Sequence, residues 1–193
     1  MTATVERRRA QLREEVLDAA TEVLRRGGWA RLRMQAVADQ VGVSRRTLYN
    51  EFGSKPALAH ALVARSTEHL GVVVDQAFAD APDLCSGWGE AVRRVLGEAR
   101  ADPVLRAVLH ETSSPDFLPL LTSEGSYAID HSTRAMTDAA LGRWPRLDRE
   151  RVALAAHATV RLVISYFLRP DGEDARAAAD ISTLVGGYLA SPP

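Results

Sequence analysis

Residues 34–52 read Met34-Gln35-Ala36-Val37-Ala38-Asp39-Gln40-Val41-Gly42-Val43-Ser44-Arg45-Arg46-Thr47-Leu48-Tyr49-Asn50-Glu51-Phe52. Met34, Val37, Ala38 and Val41 fall at the three- and four-residue spacing of one apolar helical face. Gly42 stops that face, because glycine takes a left-handed turn at little steric cost. Ser44 is a good N-cap for a second short helix, in which Leu48 and Phe52 point inward. Two short helices joined by a tight turn make a helix-turn-helix. Ala38 is small where the helices must cross, and Val43 pins the turn. With Leu48 and Phe52 facing the core, the polar side of the second helix is free to enter a major groove.

Helical signals extend outward on both sides. Residues 10–26 carry Leu12, Val16, Ala19, Ala20, Val23 and Leu24 on one face and end at Gly27-Gly28. Gly53 closes the recognition segment. Ser54-Lys55-Pro56 then starts a fourth helix, with Ser54 as cap, proline in the first turn and an end near Ala81. Its inner side reads Leu58, Leu62, His69, Val73 and Gln76. Further helices are predicted at 87–100, 103–112, 123–141, 148–168 and 174–190, punctuated by prolines. No alternating strand pattern and no internal repeat occurs. The fold class expected is all-α: a three-helix helix-turn-helix DNA-binding domain over residues 1–55, then a helical ligand-binding and dimerisation domain over 56–193.

Composition narrows the function. The chain has 193 residues, 46% hydrophobic and 25% charged, as in an ordinary globular protein. No uninterrupted apolar run reaches the roughly 18 residues of a membrane span, and residues 1–13 are too charged for a signal peptide. A cytoplasmic protein without membrane contact is expected. Cys85 is the single cysteine, which excludes an internal disulfide framework, and it reads as a small buried hydrophobe or a loop residue. Net charge is −1 overall, but residues 1–55 carry +4 and the remainder −5, an asymmetry that suits a polyanion-binding module joined to a part that binds none. Gly-rich phosphate loops, nucleophile elbows and carboxylate-rich metal motifs are absent, and the five histidines (60, 69, 110, 131 and 157) are scattered. The chain does not read as an enzyme, and neither a cofactor nor a metal site is expected.

On these residues the sequence resembles the TetR family of bacterial transcriptional regulators. The likeness covers about residues 12–63: Ala19-Ala20, Gly28-Trp29, Val37-Ala38, Val41-Gly42-Val43-Ser44, Thr47-Leu48-Tyr49, Phe52, Ser54-Lys55 and Leu58. It implies a homodimer on a double-stranded DNA operator, usually a repressor, released when a small molecule enters the C-terminal domain. A ligand-independent activator and a metal-responsive regulator are the alternatives. Ser44 and Thr47 stand where hydroxyls contact phosphate or base edges, and Tyr49 where a phenol contacts phosphate. Arg45, Arg46 and Asn50 lie on the outer face and suit base readout, arginine pairing with guanine and asparagine with adenine. Lys55 and the start of the fourth helix together address a phosphate. Two positions depart from the family pattern. Arg33 replaces a capping Ser or Thr, so that helix end is either less satisfied or Arg33 reaches a phosphate. Glu51 replaces an aromatic or histidine, and a carboxylate near DNA is unfavourable unless it pairs with arginine or accepts from cytosine. Arg7, Arg8 and Arg9 read either as an arm for the minor groove or phosphate, or as a charged tail.

In the C-terminal part, residues 148–168 are apolar round most of the helix and need covering on more than one side. Together with 174–190 they resemble the family's four-helix dimer interface, with Val152, Val163, Ile181, Leu184, Val185 and Tyr188 as candidate contacts. A mostly apolar pocket with a few polar groups is expected for a hydrophobic or amphipathic effector. Candidate contacts are Trp88, Leu109, His110, Tyr127, Arg134, His157, Arg161 and Phe167.

Overall fold

The computed structural model describes residues 2–110 and 125–191, with side chains described for 5–109 and 128–191. Among the described residues there are nine helices and no strand: α1 (Thr2–Arg31), α2 (Met34–Val41), α3 (Arg45–Phe52), α4 (Lys55–Asp80), α5 (Leu84–Ala101), α6 (Pro103–His110), α7 (Gly125–Arg143), α8 (Arg149–Leu168) and α9 (Asp174–Ala190). The all-α expectation holds. The chain forms two compact units that part inside α4, between Arg65 and Ser66, and α6 belongs with the first unit.

In the first unit, Val16, Ala20 and Leu24 of α1 pack with Val37, Ala38, Leu48, Phe52, Leu58 and Leu62, and with Val104 and Val108 of α6. Gly28 takes φ 72° and ψ 177°, breaking α1 one turn before its end. That break drops Trp29 into the core, where it is 1% exposed. α1 begins well before the predicted residue 10. Arg7, Arg8 and Arg9 are therefore helical, in place of the extended arm or loose tail that their charge suggested.

The second unit is held by α9 along α5 and by α8 along α7. Trp88 is fully enclosed, its indole Nε1–H donating to Thr159 Oγ1 at 2.9 Å. Phe78 lies between Trp88, tilted to it, and Trp144, edge-on to it, with ring centroids 5.4 and 5.3 Å away. At the other end, Arg100 of α5 forks onto the Asp174 carboxylate at the first turn of α9 with contacts of 2.7–3.0 Å. The carboxylate's hydrogen bond raises the Arg100 pKa above its usual value. Asp83 and Asp148 cap α5 and α8, each accepting from the backbone N–H three residues on.

Three readings need correction. His69 and Gln76 of α4 are exposed, and the buried positions there include Ser66, Thr67, Val74, Ala77 and Phe78. Cys85 is exposed in the first turn of α5, neither enclosed nor in a loop. Finally, α8 is long and apolar enough, by length and composition alone, to meet the requirement for a membrane span, with mean hydropathy 1.3. Arg149, Glu150, Arg151 and Arg161 interrupt its apolar run but leave a sufficiently apolar 18-residue window. It packs on α7, α9 and α5 through Val152, Ala155, Ala156, Thr159 and Phe167.

Gly87 marks a tight crossing in the second unit. A Cβ there would stand 2.8 Å from Ala81 Cβ and 2.9 Å from the Trp144 ring. Ala81 has no rotamer with which to yield, so the Gly87→Ala variant is expected to lose about 1–3 kcal/mol by overpacking. Thermal unfolding followed by circular dichroism checks this, with a fall in Tm of several degrees expected.

Candidate nucleic-acid interface

α3 is eight residues long and would not persist alone in water. Leu48 and Phe52, 1% and 6% exposed, anchor it to the core of the first unit. Val43 packs against the same core. The α2–α3 turn is closed by two backbone bonds, Val43 N–H to Ala38 C=O at 3.0 Å and Gly42 N–H to Asp39 C=O at 3.3 Å. This nested pair requires the left-handed Gly42, at φ 78°. Ser44 Oγ accepts from Thr47 N–H at 3.0 Å and shares a 2.8 Å hydroxyl contact with Thr47 Oγ1. Cap, turn and anchors together fix which side of α3 faces solvent.

That side carries Arg45, Arg46 and Asn50, all exposed. Arg45 lies over the Tyr49 ring at 5.2 Å, with its guanidinium 3.5 Å from the phenol oxygen, so Tyr49 steers it. Arg33 is exposed at the start of α2 and supplies no cap hydrogen bond, as a side chain lacking an acceptor must. Lys55 folds back on the turn before α2: its Nζ donates to Trp29 C=O at 3.1 Å and stands 4.5 Å from the Trp29 ring centre. Ser54 Oγ accepts from Ala57 N–H, capping α4. Arg45, Arg46, Thr47, Tyr49 and Asn50 thus share one short helix capped by Ser44, and Arg33 and Lys55 occupy helix starts in the same unit.

Glu51, set aside from the sequence, has a clear place. Its carboxylate accepts from Arg9 Nε at 2.7 Å and lies 3.6 Å from Arg13. Arg13 also covers the Phe52 ring at 4.8 Å. No sequence signal links positions 42 residues apart.

The C-terminal candidates divide. Trp88 is packed on every side, with no surface left for a ligand. Phe167 is 9% exposed, and Arg134 is exposed on α7. Arg161 donates through Nε to His157 Nε2 at 2.9 Å. Arg161 shares an exposed stripe of α8 with Leu154, Ala158 and Leu168. Leu109 belongs to the first unit, and the side chains of His110 and Tyr127 lie outside the described residues. Among the interface candidates, Val152, Ile181 and Val185 are buried in the unit's own core and present no surface to a partner. Apolar periodicity marks what must be covered without saying which neighbour covers it. Leu184 and Tyr188 are 65% and 38% exposed, and Val163 is half-buried. Among the described residues, no three His, Cys, Asp or Glu side chains stand together as a metal-holding group.

Comparison with known proteins fits this geometry. Residues 16–62 match the profile of the bacterial regulatory proteins of the tetR family, and residues 83–186 match a bacterial tetracyclin repressor C-terminal domain. The chain belongs to the TetR family of transcriptional regulators. It is 32% identical over 181 residues to the HTH-type transcriptional regulator AlkX of Mycobacterium tuberculosis, covering 92% of this chain and 84% of that protein. Its structure resembles the crystal structure of the TetR family repressor AlkX from Dietzia sp. strain DQ12-45-1b, implicated in biodegradation of n-alkanes. The TM-score is 0.78 at 28% identity, over 91% of this chain and 96% of that one. The same fold recurs at 17% identity in the repressor QsdR of R. erythropolis, with TM-score 0.65 over 95% and 98% of the two chains. As a member of a family of DNA-binding regulators, the chain is not an enzyme.

The Ser44→Ala variant removes the acceptor that caps α3 and is expected to cost about 1 kcal/mol. A lower melting temperature together with weaker DNA binding is the expected outcome, read by calorimetry and by fluorescence anisotropy on one preparation.

Proposed function

We propose that the protein is a cytoplasmic homodimeric repressor that leaves its operator when a small hydrophobic or amphipathic molecule binds. The observation supporting the DNA contact is the solvent face of α3, with Arg45, Arg46 and Asn50 exposed above the buried Leu48 and Phe52. In this reading Arg45, Arg46 and Asn50 read base edges in the major groove. Ser44, Thr47, Tyr49, Arg33 and Lys55 hold the backbone and set the register. An ammonium has three donors, so Lys55 can keep its Trp29 bond and still address a phosphate at the start of α4. DNA contact is assigned to residues 1–55, effector binding and dimerisation to 56–193.

Dimerisation is assigned to α8 and α9. Only 28% of the apolar window of α8 is buried within the protomer. Leu154, Leu168, Leu184 and Tyr188 are exposed large apolar side chains on these two helices. A two-fold pair would set two recognition helices about 34 Å apart, on successive major grooves. For the effector, the likeness to a repressor implicated in n-alkane biodegradation favours an alkyl chain or its oxidised derivatives. Phe167 and Arg134 are retained as candidate contacts.

Selection of duplexes from a random pool tests the DNA assignment. Arg45→Ala and Asn50→Ala are expected to relax preference at single base positions, each by about 1–3 kcal/mol. Lys55→Ala is expected to weaken every sequence alike and lower the salt slope by about one. Recovery of no duplex by the wild-type protein would overturn the reading. Leu184→Asp should give a monomer in sedimentation. For the effector, n-alkanes, 1-alkanols and fatty acids are titrated against the selected complex. Release by at least one series is expected, and indifference to all three would remove the effector class.

A further inference from the structure

The Glu51 carboxylate sits on the DNA-reading helix, where an unpaired negative charge would repel phosphate. Its side chain is only 10% exposed, whereas that of its partner Arg9 is 67% exposed. The acid is therefore covered and the cation is outermost. Arg9 spends Nε on Glu51, and a guanidinium carries five N–H donors in all. Arg13, one turn further along α1, closes the other side of the carboxylate. Its guanidinium lies over Phe52, an anchor of α3. Arg7 and Arg8 precede Arg9 in the helical and exposed start of α1. A major groove is about 12 Å wide between its phosphate walls. A cation joined to the recognition helix by one carboxylate side chain is then within reach of a wall.

We propose that Glu51 is a positioning residue that clamps the basic first turns of α1 beside the recognition helix, so that Arg9 forms a second phosphate-contacting element. The proposal rests on the DNA-binding reading above. It assigns a role to a carboxylate that charge alone would count as unfavourable, and it reverses the sign expected on removing it. If Glu51 acted only through its own charge, neutralising it would tighten DNA binding. If the pair were an ordinary surface ion pair, of little consequence even to stability, DNA binding would not respond to it.

The test uses the full-length protein and two labelled duplexes, the tightest one selected from a random pool by the wild type and a scrambled one, across a salt series. Glu51→Gln keeps the shape and loses the charge. It is expected to weaken both duplexes about five- to tenfold and to lower the salt slope by about one, as phosphate contacts are lost. Arg9→Gln cuts the same tether from its exposed side, where folding is least at risk, and is expected to do the same. In an Arg9→Gln/Arg13→Gln background, Glu51→Gln is expected to change affinity less than twofold. Equal or tighter binding by Glu51→Gln with an unchanged salt slope would overturn the proposal. So would a penalty that persists in the double-glutamine background. If the wild type selects no duplex, the DNA-binding reading fails first, and that failure is distinct from a wild type that binds and a Glu51→Gln variant that binds equally well.

Discussion

The burial of Leu48 and Phe52 beneath α3 is the contact on which the rest depends. An isolated helix of two turns is unstable in water, because nucleation costs more than so few hydrogen bonds return. Each of these side chains contributes about 1.5–3 kcal/mol when removed from water, enough to hold the helix and, more important, its rotation about its own axis. Once Leu48 and Phe52 face inward, the helical period turns Arg46 and Asn50, two residues either side of Leu48, outward, while Arg45 is exposed at the first turn of the helix. Specificity for a base sequence would be meaningless without that rotational lock. A turn of roughly 20° about the axis would move a guanidinium tip by more than the tolerance of a paired hydrogen bond.

The parts legible in the sequence are those decided locally. The α2–α3 turn follows from Gly42 and Ser44, whose left-handed φ and capping hydroxyl act within four residues. The same holds for the Ser54 cap and for the start of α8 at Asp148. Harder to read were features that depend on a distant partner. A run of three arginines looks the same whether it ends a chain loosely or lengthens a helix; Glu51, 42 residues away from Arg9, gives one of them a fixed place. Trp88 is among the contacts expected for the effector. Its N–H, however, is taken by Thr159, 71 residues away, and no surface is left over.

The interface candidates show the same limit from another side. Val152, Ile181 and Val185 belong to apolar stripes that are real, but those stripes face the protomer's own core. The exposed apolar positions, Leu154 and Leu168 on α8 with Leu184 and Tyr188 on α9, are fewer and lie round the helices from those stripes. Periodicity detects the sum of both faces. Only the positions of neighbouring helices divide the sum into what the chain covers itself and what it leaves bare.

That division bears on how a two-helix face can be both bare and firm. Arg151 of α8 reaches the C-terminal end of α9, donating to the carbonyls of Tyr188 and Ser191 and lying 4.9 Å from the Tyr188 ring centre. These carbonyls close the last turn of α9, where the helix dipole favours a cation. Arg100 holds the opposite end of α9 through Asp174, at the first turn, where the dipole favours an anion. Each terminus of α9 is thus fixed by a charge of the sign its dipole prefers. The exposed Leu184 and Tyr188 are carried on a helix fixed at both ends, so a partner that covers them need not also supply the ordering of the helix. A surface ordered in advance loses less entropy on association, so a partner that covers it meets a smaller cost.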